Sequence, residues 1–223
     1  KRRLTSDDIN LPIRLDCIDL NSATAFQTAF WTQYWADKAV WIALLPPSAV
    51  ADYEAVMRNW IALAGRFGIS HIVFGSSIGV YGDAARECDE HSPPQPQTES
   101  ARRTLAAENM LLQSGIANID ILRLGGLYSA ERHPLTSLLK RPSVSGAHRP
   151  VNMLHQDAAV AALYQAACTP AGIRIRNIVA PQHPLKHEFY RAEAAKLGLP
   201  SADFDMADTS SGKVVRSAFD DFN

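Results

Sequence analysis

The sequence is poor in cysteine. Its 223 residues include 3, Cys17, Cys88 and Cys168, widely separated and with no Cys-x-x-Cys spacing. An odd, scattered set excludes a disulfide framework or a zinc knuckle and fits a reducing compartment. No apolar run approaches the roughly 18 residues that a membrane span needs. The most apolar run, residues 39–45, sits between Lys38 and Pro46. The basic start, Lys1-Arg2-Arg3, has no apolar core behind it, so it does not read as a secretion signal. These absences lead us to expect a cytoplasmic protein with no membrane partner. Charge of one sign is also missing: 22 Lys and Arg against 23 Asp and Glu leave a net charge of −1. No cationic excess is available to replace counterions on phosphates, so no nucleic-acid partner is expected. A Gly-x-x-Gly-x-x-Gly turn, the usual backbone cradle for a pyrophosphate at a helix start, occurs nowhere in the chain.

What is present is an ordinary globular balance, 47% hydrophobic and 20% charged. The length suits one domain with at most a small second lobe. Residues 39–45 read as a strand buried on both faces, ended by Pro46-Pro47. Ser48 then opens a helix whose apolar positions (Val50, Tyr53, Val56, Met57, Trp60, Ile61, Ala64) recur every three or four residues, with Gly68 as the stop. Residues 71–75 read as the next strand and 82–96 as a Pro-rich loop. Helix at 99–113, strand at 119–124, helix at 156–168, strand at 173–179 and helix at 188–197 follow, with a loop-rich stretch over 134–150. A further strand is expected at 13–18. Such alternation predicts an α/β fold with a parallel sheet covered on both faces. Ligands in such sheets bind beyond the carboxyl ends of the strands. Those ends here are 44–47, 75–81, 125–128 and 180–183.

Ser76 and Ser77 close the strand at 71–75, where a hydroxyl can meet a ligand oxygen or satisfy a strand-end backbone group. His183 and His187 are four apart, but no third ligand accompanies them and no metal is assigned. The tryptophans at 31, 35, 41 and 60 read as core or interface residues, since no basic groove accompanies them.

Five motifs occur in order: Ser76-Ser77-x-x-Val80-Tyr81-Gly82-Asp83, Glu90-x-x-Pro93-x-x-Pro96, Ala106-Ala107-Glu108, Arg123-Leu124-x-Gly126-Leu127-Tyr128 and Val151-Asn152-Met153-Leu154-His155-x-Asp157. The chain in this respect resembles the extended short-chain dehydrogenases/reductases, the NAD-dependent epimerase/dehydratase proteins. Over residues 14–216 it is nearest to a bacterial branch of nucleoside-diphosphate-sugar epimerases. The resemblance implies a Rossmann-like doubly wound sheet over 1–128 and a small C-terminal substrate lobe over 129–223, interleaved with the last core helix and strand at about 156–180. It also implies that the first strand–helix–strand unit, with its glycine turn, lies outside this chain. Lys1-Arg2-Arg3 would then end the second strand, reading an NADP 2′-phosphate or simply meeting solvent.

For the site, the resemblance implies NAD or NADP as cofactor and a small-molecule substrate such as a sugar nucleotide. Ser77 would polarise the substrate. The family's Tyr-x-x-x-Lys base pair falls on Ser100 and Thr104, which cannot accept a proton, leaving Tyr81, water or another residue as base. Cofactor contacts fall on Asp19 and Leu20 (adenine), on Ala43, Leu44 and Leu45 (pyrophosphate and ribose), and on Ser76, Gly125 and Leu127 near the nicotinamide. Substrate contacts fall on Arg132, Asn152 and His155. Relatives commonly form homodimers through the two helices beside the Ser-Ser strand, which the helix at 99–113 would permit. The expected activity is that of an NAD(P)-dependent epimerase, dehydratase or reductase. The alternative is a dinucleotide-binding sensor or scaffold without catalysis.

Overall fold

The computed structural model describes residues 14, 16–22 and 24–222. Four parallel strands form the main sheet in the order β1-β2-β4-β7: β1 (Trp41–Ala43), β2 (His71–Ser77), β4 (Asn118–Leu124) and β7 (Ile173–Ile178). Two short parallel pairs stand apart. β3 (Glu87–Cys88) pairs with β8 (Val214–Val215), and β5 (Gly126–Tyr128) with β6 (Met153–His155).

Helices cover both faces, as the alternating pattern requires. On the first face, α2 (Tyr53–Arg66) and α3 (Glu99–Leu112) pack with Trp41, Ile72, Phe74, Ile119 and Ile121. Before them, α1 (Thr28–Tyr34) brings Trp31 against Trp41, which in turn meets Trp60 with ring centroids 5.3 Å apart. On the second face, α5 (Gln156–Cys168) lays Ala159, Ala162 and Ala166 on Val73, Leu122 and Ile178. A separate cluster gathers α4 (Leu135–Leu138) and α6 (Lys186–Leu197) around Leu135, Leu138, Val144, Tyr190 and Ala194.

Local chemistry sets the boundaries. α2 starts at Tyr53 rather than near Ser48, because the Asp52 carboxylate accepts from the Ala55 N–H at 2.9 Å and so caps the helix. Pro47–Ala49 form a separate 3-10 turn. Thr98 caps α3 in the same way, accepting from Ala101 N–H at 3.2 Å. Gly68 and Gly198 follow α2 and α6 in the left-handed conformation that releases a helix.

Three expectations change. The strand at 39–45 shrinks to Trp41–Ala43 and is buried on one face only, with Ile42 41% and Leu44 57% exposed. Among the described residues its strand partner is β2. Residues 16–18 lie in no strand, while Ile13 and Leu15, like Lys1-Arg2-Arg3, lie outside the described residues. The loop-rich stretch contains α4, and α1 arises where the sequence indicated no helix.

Candidate functional site

Side chains alternate across a strand, so the adjacent Ser76 and Ser77 must face opposite sides of the sheet. Ser76 turns to the α3 face, where its hydroxyl donates to buried Glu108. Ser77 turns to the α5 face and is exposed; its oxygen accepts from Gly79 N–H at 3.1 Å. Its own proton meets no acceptor among the described residues.

Ser77 borders a cleft of about 390 Å³ at the carboxyl ends of β1, β2 and β4. The cleft brings together Leu44, Leu45, Ser76, Ser77, Gly125 and Leu127, six residues picked out from the sequence. Ser100 and Thr104 also line it. Its far wall is one flank of α5, with Gln156, Ala159, Val160 and Leu163. The sequence reading missed this flank, although the i, i+3, i+4, i+7 spacing announced it. Two glycines keep the floor flat. A Cβ on Gly125 would stand 2.8 Å from the Asn152 carbonyl oxygen, and one on Gly75 would stand 2.7 Å from Leu44 Cδ2.

The cleft is dry in acid–base terms. Among its lining residues only Tyr53 is ionisable, and burial pushes that phenol up to about 12. Thr104 spends its hydroxyl on the Ser100 carbonyl at 2.9 Å.

Tyr81 does not serve this cleft. It is 1% exposed. Its hydroxyl donates to Asn177 Oδ1 at 2.9 Å and accepts from Arg123 Nη1 at 2.8 Å. Burial raises its pKa, with Arg123 opposing, so the phenol stays protonated. The expectation that it acts as base is therefore corrected. Its role is in a buried chain in which Arg123 also grips Glu108, through Nε at 3.1 Å and Nη2 at 2.7 Å. An Arg inside an apolar strand and a Glu among helix alanines were the available signals for this pair.

Asn152 also has a structural role. Its amide donates to the Lys213 carbonyl at 3.0 Å and accepts from Val215 N–H at 2.7 Å, tying β6 to β8. The Lys213 ammonium donates to the Ile78 and Gly82 carbonyls and holds the turn after Ser77. Its pKa is lowered, chiefly by burial. His155 caps α5, accepting from Asp157 N–H at 3.3 Å, and lines a different cavity on the other flank of that helix.

Arg132 lies in a neighbouring cavity of about 430 Å³ that shares Leu127 and Gln156 with the cleft. Among the described residues no carboxylate pairs with its guanidinium. Leu20 and Ala43 line a smaller space of about 140 Å³ that shares Leu44 and Leu45 with the cleft. Asp19 lines neither; its carboxylate accepts from Asn21 N–H at 3.2 Å in an exposed turn.

No protein-family model matches the chain. Over 155 residues it is 37% identical to protein YeeZ of Escherichia coli strain K12, a match covering 69% of this chain and 56% of YeeZ. The chain thus spans little more than half the length of this curated relative. Among solved structures, a candidate NAD-dependent epimerase/dehydratase from Methylobacillus flagellatus superposes with a TM-score of 0.71 at 18% identity, covering 97% of this chain and 77% of that one. The UDP-glucuronic acid 4-epimerase of Bacillus cereus, solved with NAD, gives 0.68 at 14% identity, covering 83% and 67%. This chain shares the Rossmann-like α/β fold of these structures. Within that fold its cleft lies at the strand ends where open parallel sheets hold their ligands. Among the described residues, no helix is long and apolar enough to cross a membrane.

Proposed function

We propose that this chain binds a nicotinamide dinucleotide, NAD or NADP, and acts as an epimerase, dehydratase or reductase on a sugar nucleotide or a small carbonyl or hydroxyl compound. The observation that carries the reading is the convergence of Leu44, Leu45, Ser76, Ser77, Gly125 and Leu127 on one cleft at the sheet's carboxyl edge. Its glycine floor, apolar walls and inner hydroxyls fit the flat, amide-bearing nicotinamide end of such a cofactor. The chain offers no glycine-rich turn for the pyrophosphate. The likeness to an epimerase solved with NAD supports the same assignment.

The nicotinamide, when bound, supplies the hydride acceptor or donor. Leu44, Leu45, Gly125 and Leu127 would hold its ring and exclude water. Ser77 would donate its free proton to the substrate oxygen, its own oxygen being steadied by Gly79 N–H. With Tyr53 as the one ionisable side chain among the described residues along the cleft, water is the proton acceptor in this proposal. Arg132 would hold an anionic part of the substrate, and its cavity's shared border with the cleft supports that role. Leu20, with Asp19 beside it, would meet the adenine end through the adjoining space. A homodimer through the outer faces of α2 and α3 belongs to the same proposal.

The absence of a neutral-range base in the cleft favours one further reading, a dinucleotide-binding sensor or scaffold without turnover. Calorimetric titration of the full-length protein with NAD and NADP separates these readings. It is followed by nicotinamide absorbance across a panel of sugar nucleotides and small carbonyls. Binding with turnover that Ser77→Ala abolishes supports the enzyme. Binding with no turnover across the panel supports the sensor. No binding of either dinucleotide refutes both.

A further inference from the structure

A second cavity, of about 820 Å³, is larger than the cleft and shares no lining residue with it. α5 divides the two. At 3.6 residues per turn, Gln156, Ala159, Val160 and Leu163 fall on the cleft side. Ala158, Ala161, Ala162 and Gln165 fall on the other. The opposite wall is the end of β7 and the residues after it, with Ile178, Val179 and Pro181, and the segment 216–222 closes the side. The space exists because three alanines occupy one flank of α5; Leu or Phe there would fill it.

Among the described residues lining this apolar bed, Arg216 is the one side chain with a permanent charge. Arg216 lines the cavity, is exposed, and has no carboxylate or hydrogen-bond partner for its guanidinium among the described residues. Arginines of the adjoining sheet are otherwise satisfied: Arg123 by Glu108, Arg174 by Asp120 and Arg176 by Asp221. His155 accepts at Nδ1 from Asp157 N–H, so its ring proton sits on Nε2 as a second donor. Ser217 brings no competing hydroxyl, because it donates to Glu90 at 2.8 Å. His183 adds no charge: burial first, then Arg216, lowers its pKa, and its Nδ1 is bonded to the Val151 carbonyl at 3.2 Å.

We propose that this cavity is a second ligand site, for a small amphipathic organic anion with its ring or short acyl body on the alanine bed and its anionic group on Arg216. An apolar floor with few convergent polar groups is the usual make-up of a small-molecule site. The unpaired guanidinium selects an anion, and bidentate geometry suits a carboxylate. The site is independent of dinucleotide binding, because no residue is common to the two cavities.

The test is calorimetric titration of the full-length protein with 2-naphthoate and with its neutral analogue 2-naphthalenemethanol. Ala161→Phe fills the bed at an exposed helix position that tolerates a larger side chain, and an unchanged melting temperature verifies its folding. It should weaken naphthoate by about tenfold or more, matching loss of a 1.4 kcal/mol contact. Arg216→Gln should weaken naphthoate by about tenfold while leaving the neutral analogue within about twofold, since only the charged group loses its partner. Saturating NAD should leave the naphthoate affinity unchanged. Failure of the wild-type protein to bind naphthoate at millimolar concentration overturns the proposal. So does undiminished binding to Ala161→Phe, or displacement by NAD.

Discussion

Replacing Arg123 by Met should be among the most damaging single changes in this protein. Arg123 and Glu108 are 3% and 1% exposed. Burial works against the Arg123 charge, but Glu108 outweighs it and the pKa is raised. The carboxylate accepts two bonds from the guanidinium, at 3.1 and 2.7 Å, and one from Ser76. Met fills the space of the Arg stem but leaves the carboxylate buried and uncompensated, and takes a donor from Tyr81. Removing one partner of such a pair costs about 3–5 kcal/mol. Against a total stability of about 5–15 kcal/mol that is a large share. Urea unfolding of the full-length protein, followed by circular dichroism, should show a lowered midpoint with an unchanged slope. The double variant Glu108→Leu/Arg123→Met removes both charges and should recover to within about 1–2 kcal/mol of wild type, because no buried charge is left unpaired and only the Ser76 and Tyr81 hydroxyls each lose a partner. A cost below about 1 kcal/mol for Arg123→Met would refute the reasoning, as would a double variant whose cost equals the sum of the singles.

Two further outcomes follow from the same geometry. Tyr81→Phe should cost about 1–2 kcal/mol, from the lost bonds to Arg123 and Asn177, and leave NAD affinity unchanged in calorimetry; a tenfold loss of affinity would return Tyr81 to the site. Asp208 is held at about 2, first by hydrogen bonding from Ser210 and then by Gly146 N–H. A carboxyl depressed on folding stabilises fully above its unfolded pKa, near 4, and progressively less as pH falls toward 2. Asp208→Asn should therefore flatten the fall in melting temperature between about pH 4 and pH 2, and an unaltered profile would show that the carboxylate contributes nothing.

The sheet was legible because local signals agreed with the global packing. β2, β4 and β7 are runs that mix apolar residues with helical stretches between them, and α2, α3 and α5 carry apolar positions at helical spacing. Six of the expected site residues also meet in one cleft, since strand carboxyl ends of a parallel sheet gather at one edge. β1 was overread. An apolar run shows that a segment avoids water in part, but not which neighbours cover it, and Ile42 and Leu44 stay 41% and 57% exposed. α1 escaped notice because its seven residues carry one Phe and one Trp, side by side, and no capping signal, since Gln27 makes no side-chain cap.

What the sequence determined alone is the alternation of strands and helices, their polar stops, and the period that sends Ser76 and Ser77 to opposite faces. Those properties depend on neighbours along the chain. The tertiary structure decided which hydroxyls and charges are free. Tyr81 is claimed by Arg123 and Asn177, Asn152 by β8, and Ser76 by Glu108, whereas the Ser77 proton and the Arg216 guanidinium meet no acceptor among the described residues. Whether a polar group is satisfied depends on partners far along the chain, 96 residues for Tyr81 and Asn177, and only folding brings those together.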